Sequence, residues 1–200
     1  MIRLCARLLV LGVTLVLAAC GTDHIYDSDE FMAKQRFVSS EPPSLTMITV
    51  ISNATGGGAH TGLIVNASER VIFDPAGTFR HPNMPERYDV IYGVTDGRLE
   101  TYIDYHARIT YRVQVQKIYV SAEVAELALQ MVQKAGPVPK ANCANATSKL
   151  LSQLPGFQSI KQTWYPRKLA KMFGEIPGVT ERMVIDDSPD NNKGILYGAP

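Results

Sequence analysis

Apolar and polar positions divide the chain into an apolar start, a polar stretch, a long patterned body and a polar end. Arg3 and Arg7 precede the apolar run Leu8 to Leu17, which is too short to span a bilayer and ends in small residues, so residues 1–19 are expected to be a secretory signal. Residues 20–44 are polar around Asp27, Asp29 and Glu30 and break at Glu41-Pro42-Pro43, predicting a tether with a short helix around Asp29 to Phe37. Leu45 to Ser52 is rich in β-branched residues and predicts the first strand of a domain over 45–185.

Within that domain the alternation predicts strands at His60–Val65 and Arg70–Asp74, joined by a turn at 66–69. With 66–68 as the loop, His60 lies opposite Asp74 on one face. A change of two residues in register leaves them diagonal neighbours. Pro75 to Glu86 reads as a loop, Tyr88 to Thr95 as a strand, and Asp96-Gly97 as a turn. Leu99 to Ile109 fits either a short helix or a strand. Thr110 to Val120 alternates clearly, and Ser121 is placed to cap a helix from Ala122 to Lys134 whose apolar face is Val124, Leu127, Ala128, Met131 and Val132. Pro137 and Pro139 interrupt the chain, Asn142 is a natural helix N-cap, and a helix then runs from Cys143 to about Leu154. A last helix begins near Pro166, with Arg167, Lys168 and Lys171 expected on a solvated face. A strand follows at Gly178–Ile185, and 186–200 is expected to be a flexible tail. The fold class is α+β, with an antiparallel sheet packed against the helix that bears the cysteine.

Charge excludes one class of partner. The formal net charge is +1, and losing Arg3 and Arg7 with the signal makes it slightly negative, so no nucleic acid partner is expected. Cysteine content says more. Of the three cysteines, Cys5 lies in the signal. Leu17-Ala18-Ala19-Cys20 resembles a lipobox, which implies lipidation of Cys20, anchoring to a membrane through that lipid, and a bacterial envelope location. Gly21 rather than Asp after the cysteine implies the outer membrane, facing the periplasm. Cys143 is then the one free thiol in an oxidising compartment. It is either an inert buried hydrophobe or a nucleophile.

A thiol at the first helical position lies among unpaired N–H groups at the positive end of the helix dipole, which favours thiolate. Covalent catalysis also needs a base and a group that orients it. His60 is the candidate base and Asp74 the candidate orienting carboxylate. His81 sits in the loop that follows and is the alternative third member. His106 is a candidate substrate-lining residue, as are Gly58 and Asn142. The Gly56-Gly57-Gly58 run has no following Lys-Ser/Thr and leads into a strand, so it is not a phosphate cradle. No metal or other cofactor is implied, because the histidines lack metal-ligand spacing with a second cysteine.

Gly58-Ala59-His60-Thr61-Gly62-Leu63-Ile64-Val65 resembles the His-x-Gly strand, and Asn142-Cys143 the Asn-Cys helix start, of the circularly permuted branch of the NlpC-type papain-like hydrolases. That branch includes lecithin:retinol acyltransferase and the YaeF-type bacterial lipoproteins. Histidine precedes cysteine here, as in that branch, over residues 45–155. The acyltransferases carry a second histidine on the return strand where this chain has Asp74, so the third member departs from the pattern. The resemblance implies a permuted papain-like fold and attack by a Cys143 thiolate on an acyl carbon, with His60 as base and the Cys143 N–H as an oxyanion donor. Three functions follow as expectations. One is a hydrolase of amide bonds in peptidoglycan stem peptides. Another is an acyltransferase or thioesterase acting on acyl lipids. The last is a non-catalytic binding lipoprotein, which predicts a buried and unreactive Cys143.

Overall fold

The computed structural model describes residues 25–191, so the signal, Cys20 and the last nine residues lie outside the described residues. Among the described residues the chain forms five helices and one seven-stranded antiparallel sheet. In chain order these are α1 (Asp29–Gln35), β1 (Ser44–Ser52), β2 (Gly58–Asn66), β3 (Arg70–Phe73), β4 (Glu86–Arg87), β5 (Val90–Ile91), α2 (Asp96–His106), β6 (Tyr111–Tyr119), α3 (Ala122–Lys134), α4 (Cys143–Leu151), α5 (Pro166–Gly174) and β7 (Thr180–Val184). The sheet order is β4-β5-β3-β2-β1-β6-β7. No helix of the described residues is long and apolar enough to cross a membrane.

Both faces of the sheet are covered, which is why β1 is buried along nearly its whole length instead of alternating. Leu45, Met47, Leu63, Val65, Val71 and Phe73 point to the face covered by α3, α4 and α5. Ile48, Val50, Ile64 and Ile72 point to the other face, where Tyr102 and Ile103 of α2 pack with Phe79. The helices start where local chemistry dictates: Ser121 Oγ accepts from Val124 N and Thr95 Oγ1 from Arg98 N, and Pro166 opens α5.

The structure corrects several expectations. In the β2–β3 hairpin Leu63 faces Phe73 and Asn66 faces Arg70, so the loop is 67–69 and the register is two greater than the one that put His60 opposite Asp74. Continuing it places Asp74 beside Gly62, with His60 as its diagonal neighbour. The stretch 88–95 is no continuous strand. Tyr88 and Asp89 take positive φ of 45° and 64° and form the tight turn between β4 and β5, as a two-residue hairpin requires. Asp96-Gly97 opens α2 rather than forming a separate turn, and α2 resolves the ambiguity at 99–109 as helix up to His106. Asn142 stands at the N-cap position without capping. Its Nδ2 donates to the Lys140 carbonyl at 3.0 Å and its Oδ1 accepts from Asn145 at 3.3 Å.

The segments flanking the domain are docked on it. Asp27 accepts from Glu86 N at 2.8 Å, and Asn66 Nδ2 donates to the Glu41 and Pro42 carbonyls. At the other end Ile109 N donates to Ser188 O at 3.0 Å and Arg108 bonds Asp186 at 2.6 Å.

Candidate active site

Strand β3 stops opposite Leu63, and the edge of β2 beyond that point is open. The first turn of α4 fills it. Backbone hydrogen bonds from Thr61 and Ala144 meet the Cys143 sulfur, and the His60 side chain bonds it as well. Thr61 is on the sheet face covered by α4, whereas His60 points to the α2 face. Cys143 therefore sits at the sheet margin where groups from both faces reach it.

His60 Nε2 is 2.6 Å from Asp74 Oδ1, which leaves Nδ1 as the ring nitrogen for the Cys143 sulfur. Asp74 Oδ1 also accepts from the Tyr102 hydroxyl at 2.6 Å. Two glycines make room for this carboxylate and its partners. A Cβ at Gly62 would lie 2.4 Å from the Tyr102 hydroxyl, and one at Gly77 would lie 1.8 Å from Asp74 Oδ2. Oδ2 itself is buried without a hydrogen-bond partner, so Oδ1 carries the polar contacts of a carboxylate that is 3 % exposed.

Burial by itself would lower the His60 imidazole, but the adjacent Asp74 charge and the hydrogen bonds to Asp74 and Cys143 outweigh it and raise the ring to about 10. Burial would raise Asp74, and the His60 charge and hydrogen bond, with His106 and Tyr102, instead lower it to about 2. Burial would likewise raise the Cys143 thiol. His60 and the two backbone groups reverse that and hold it below the ordinary thiol value. The same contacts favour a thiolate beside an imidazolium over a neutral thiol and imidazole. Cys143 is buried, at 8 % exposure, as the non-catalytic reading expects, yet it is paired with a base.

His106 reaches the same place from α2. Its ring is parallel to that of His60, with centroids 5.7 Å apart and planes at 12°. With His60 it lines a cleft of about 260 Å³, together with Ala76, Thr78, Tyr105 and Tyr111. His81 is elsewhere: it stacks on Phe79 and its Nδ1 accepts from Asn83 N at 3.1 Å. The third group at the imidazole is thus Asp74. Gly58 and Asn142 do not line this cleft. A Cβ at Gly58 would meet Pro166 Cβ at 2.7 Å, so Gly58 lets α5 pack against β2. Asn142 borders a separate groove of about 400 Å³ between α3 and α4, with Phe73, Met131, Val138 and Leu150.

His60, Asp74 and His106 offer ligand atoms within 4.8 Å of one another, a set that a metal ion could take. The 2.6 Å hydrogen bond between His60 and Asp74 is shorter than the spacing of about 3 Å or more between two ligands on zinc, so an ion would first have to break it. Sequence patterns missed Tyr102. Its one signal is the i, i+4 spacing to His106, visible once 96–106 is taken as helix.

The arrangement can make a thiolate, protonate a leaving group, and present the first backbone N–H groups of α4 to a developing oxyanion. No protein-family model, curated protein or solved structure matches the chain.

Proposed function

We propose that this protein is a cysteine hydrolase of amide bonds, with the permuted papain-like organisation its motifs suggest, held to the bacterial outer membrane by a lipid on Cys20 and acting on peptidoglycan stem peptides. The observation that carries the reading is the linked series Cys143–His60–Asp74, brought together from α4, β2 and the end of β3. The Cys143 thiolate attacks the carbonyl carbon. The tetrahedral intermediate collapses as the C–N bond breaks and the leaving nitrogen takes the proton from His60. Water then attacks the acyl-thioester, giving its proton to His60 and releasing the acid and the thiolate. The open cleft beside His60, where Thr78, Tyr105, His106 and Arg108 stand among apolar groups, suits a peptide.

A second reading has its own observation. The groove at Asn142 is floored by apolar side chains, which suits the acyl chain of a lipid substrate in a transferase or thioesterase of the same chemistry. Incubating the wild type and Cys143→Ala with peptidoglycan fragments and with acyl-lipid extracts, followed by mass spectrometry, separates the two. Stem peptides shortened only by the wild type support the amide hydrolase. A Cys143-dependent change in fatty-acyl products supports the lipid reading instead, and no Cys143-dependent product in either sample overturns both. The mass of the membrane-extracted N-terminal peptide tests the lipid on Cys20.

A further inference from the structure

The hydrolytic steps use one imidazole, and the cleft holds two. His106 Nδ1 is 2.9 Å from the Tyr102 carbonyl oxygen. A carbonyl only accepts, so the proton of the ring is on Nδ1 and the lone pair of the neutral ring is on Nε2. Tyr102 and Tyr105 stand edge-on to the ring at 4.7 and 4.9 Å, which fixes its orientation. Burial and the parallel His60 ring, against the pull of Asp74, lower His106 to about 4, so it stays neutral beside an imidazolium. Among the described residues no donor meets Nε2, and His106 lines the cleft that His60 also lines. Protonated His60 is thus the donor beside the Cys143 sulfur, and His106, on the same cleft, is a fixed acceptor next to it.

On the amide-hydrolase reading, which this inference presupposes, we propose that His106 is a specificity-determining residue that selects amides over esters by accepting the N–H of the scissile bond. Once the thiolate has added, the leaving nitrogen carries one hydrogen and one lone pair. Pointing the N–H at His106 turns the lone pair toward the proton on His60, which is the orientation that C–N cleavage needs. An ester oxygen has no hydrogen to offer, and its lone pair meets that of Nε2, leaving a desolvated acceptor unpaired.

The test compares N-acetyl-alanyl p-nitroanilide with N-acetyl-alanyl p-nitrophenyl ester, which share an acyl group and differ in N–H against O at the leaving atom. Both are assayed with the full chain and with His106→Phe, His106→Gln and Cys143→Ala. His106→Phe keeps a flat ring and removes the acceptor. The expected result is a loss in kcat/KM of about 10- to 100-fold for the anilide and less than about threefold for the ester, with part of the anilide rate recovered in His106→Gln. Ester turnover by His106→Phe shows that its site is folded. Equal losses on the two substrates would overturn the role given to His106 and leave the amide-hydrolase reading standing, whereas a wild type that cleaves the ester and not the anilide would overturn both. If the wild type exceeds Cys143→Ala on neither substrate, the hydrolase reading fails and the inference fails with it.

Discussion

Two buried charges sit near opposite ends of the β2–β3 hairpin, and they are treated differently. At one end Arg70, 1 % exposed, has each nitrogen of its guanidinium bonded. It donates to Asn66, Asp96, Ser39 and Glu41, and its flat face lies 5.4 Å from the Phe37 ring centre. At the other end Asp74 meets His60 and Tyr102 through one oxygen, and His60 keeps a ring nitrogen for a thiol. A buried charge with every nitrogen bonded ties segments together, here the 37–41 stretch and the start of α2 to the hairpin. A buried charge whose partner keeps a bonding site free can move a proton. The comparison predicts that damage to the Arg70 cluster reads out as stability and damage to the Asp74 cluster as chemistry.

The largest effect belongs to Asp74→Asn. It removes the charge that raises His60 and reverses one hydrogen-bond preference, and kcat/KM should fall about 10²- to 10⁴-fold, with a thermal unfolding midpoint that shows the protein still folds. The pH profile comes next. His60 is raised to about 10, so its proton is present below that value and lost above it, and kcat/KM should fall up to tenfold per pH unit beyond about 10. The acid limb should lie below the ordinary thiol value, because protonation of the lowered Cys143 ends it. A profile rising to a plateau only above about 8.5 would contradict the thiolate–imidazolium pair.

Arg70→Ala is the counterpart. Asp96 and Glu41 are too exposed for the ion pairs themselves to carry much, so the cost comes from the cavity and the lost donors, about 2–4 kcal/mol in a denaturant melt. The pH dependence of Cys143 alkylation by iodoacetamide should not move. Tyr102→Phe should do the opposite. Loss of one hydrogen bond to Asp74 weakens the hold on His60, and alkylation at neutral pH should slow about 3- to 10-fold. Gly62→Ala should give the same shift, since its methyl group would displace the Tyr102 hydroxyl. His81→Ala, outside both clusters, should leave alkylation and unfolding within error of the wild type.

The candidate site was legible in part. Cys143 stood out as the lone thiol at a helix start, and His60 and Asp74 as residues on adjacent strands. Even with the register two residues off, their shared face kept them neighbours, because side chains alternate with period 2. Gly58 and Asn142 were misplaced because nearness in sequence to His60 and Cys143 says nothing about direction. Gly58 opens toward α5, and Asn142 turns to the groove beside α3. Tyr102 was not legible, since the polar residues Thr101, Asp104 and His106 blurred the pattern that would have shown 96–106 as helix, and α2 is held by its Thr95 cap and by packing on the far sheet face.

By itself the sequence determined the order of most elements, the α+β class, the single thiol of the patterned domain and the shared face of His60 and Asp74, with His81 left as the alternative partner, because hydrophobic period, turn residues and caps are local. Only the tertiary structure decided that α4 enters the gap left where β3 stops, that Tyr102 reaches over Gly62 to hold Asp74, and that His106 shares the cleft. Those contacts join segments 28 to 83 residues apart, and their positions follow from how two helical layers pack on one twisted sheet rather than from any pattern along the chain.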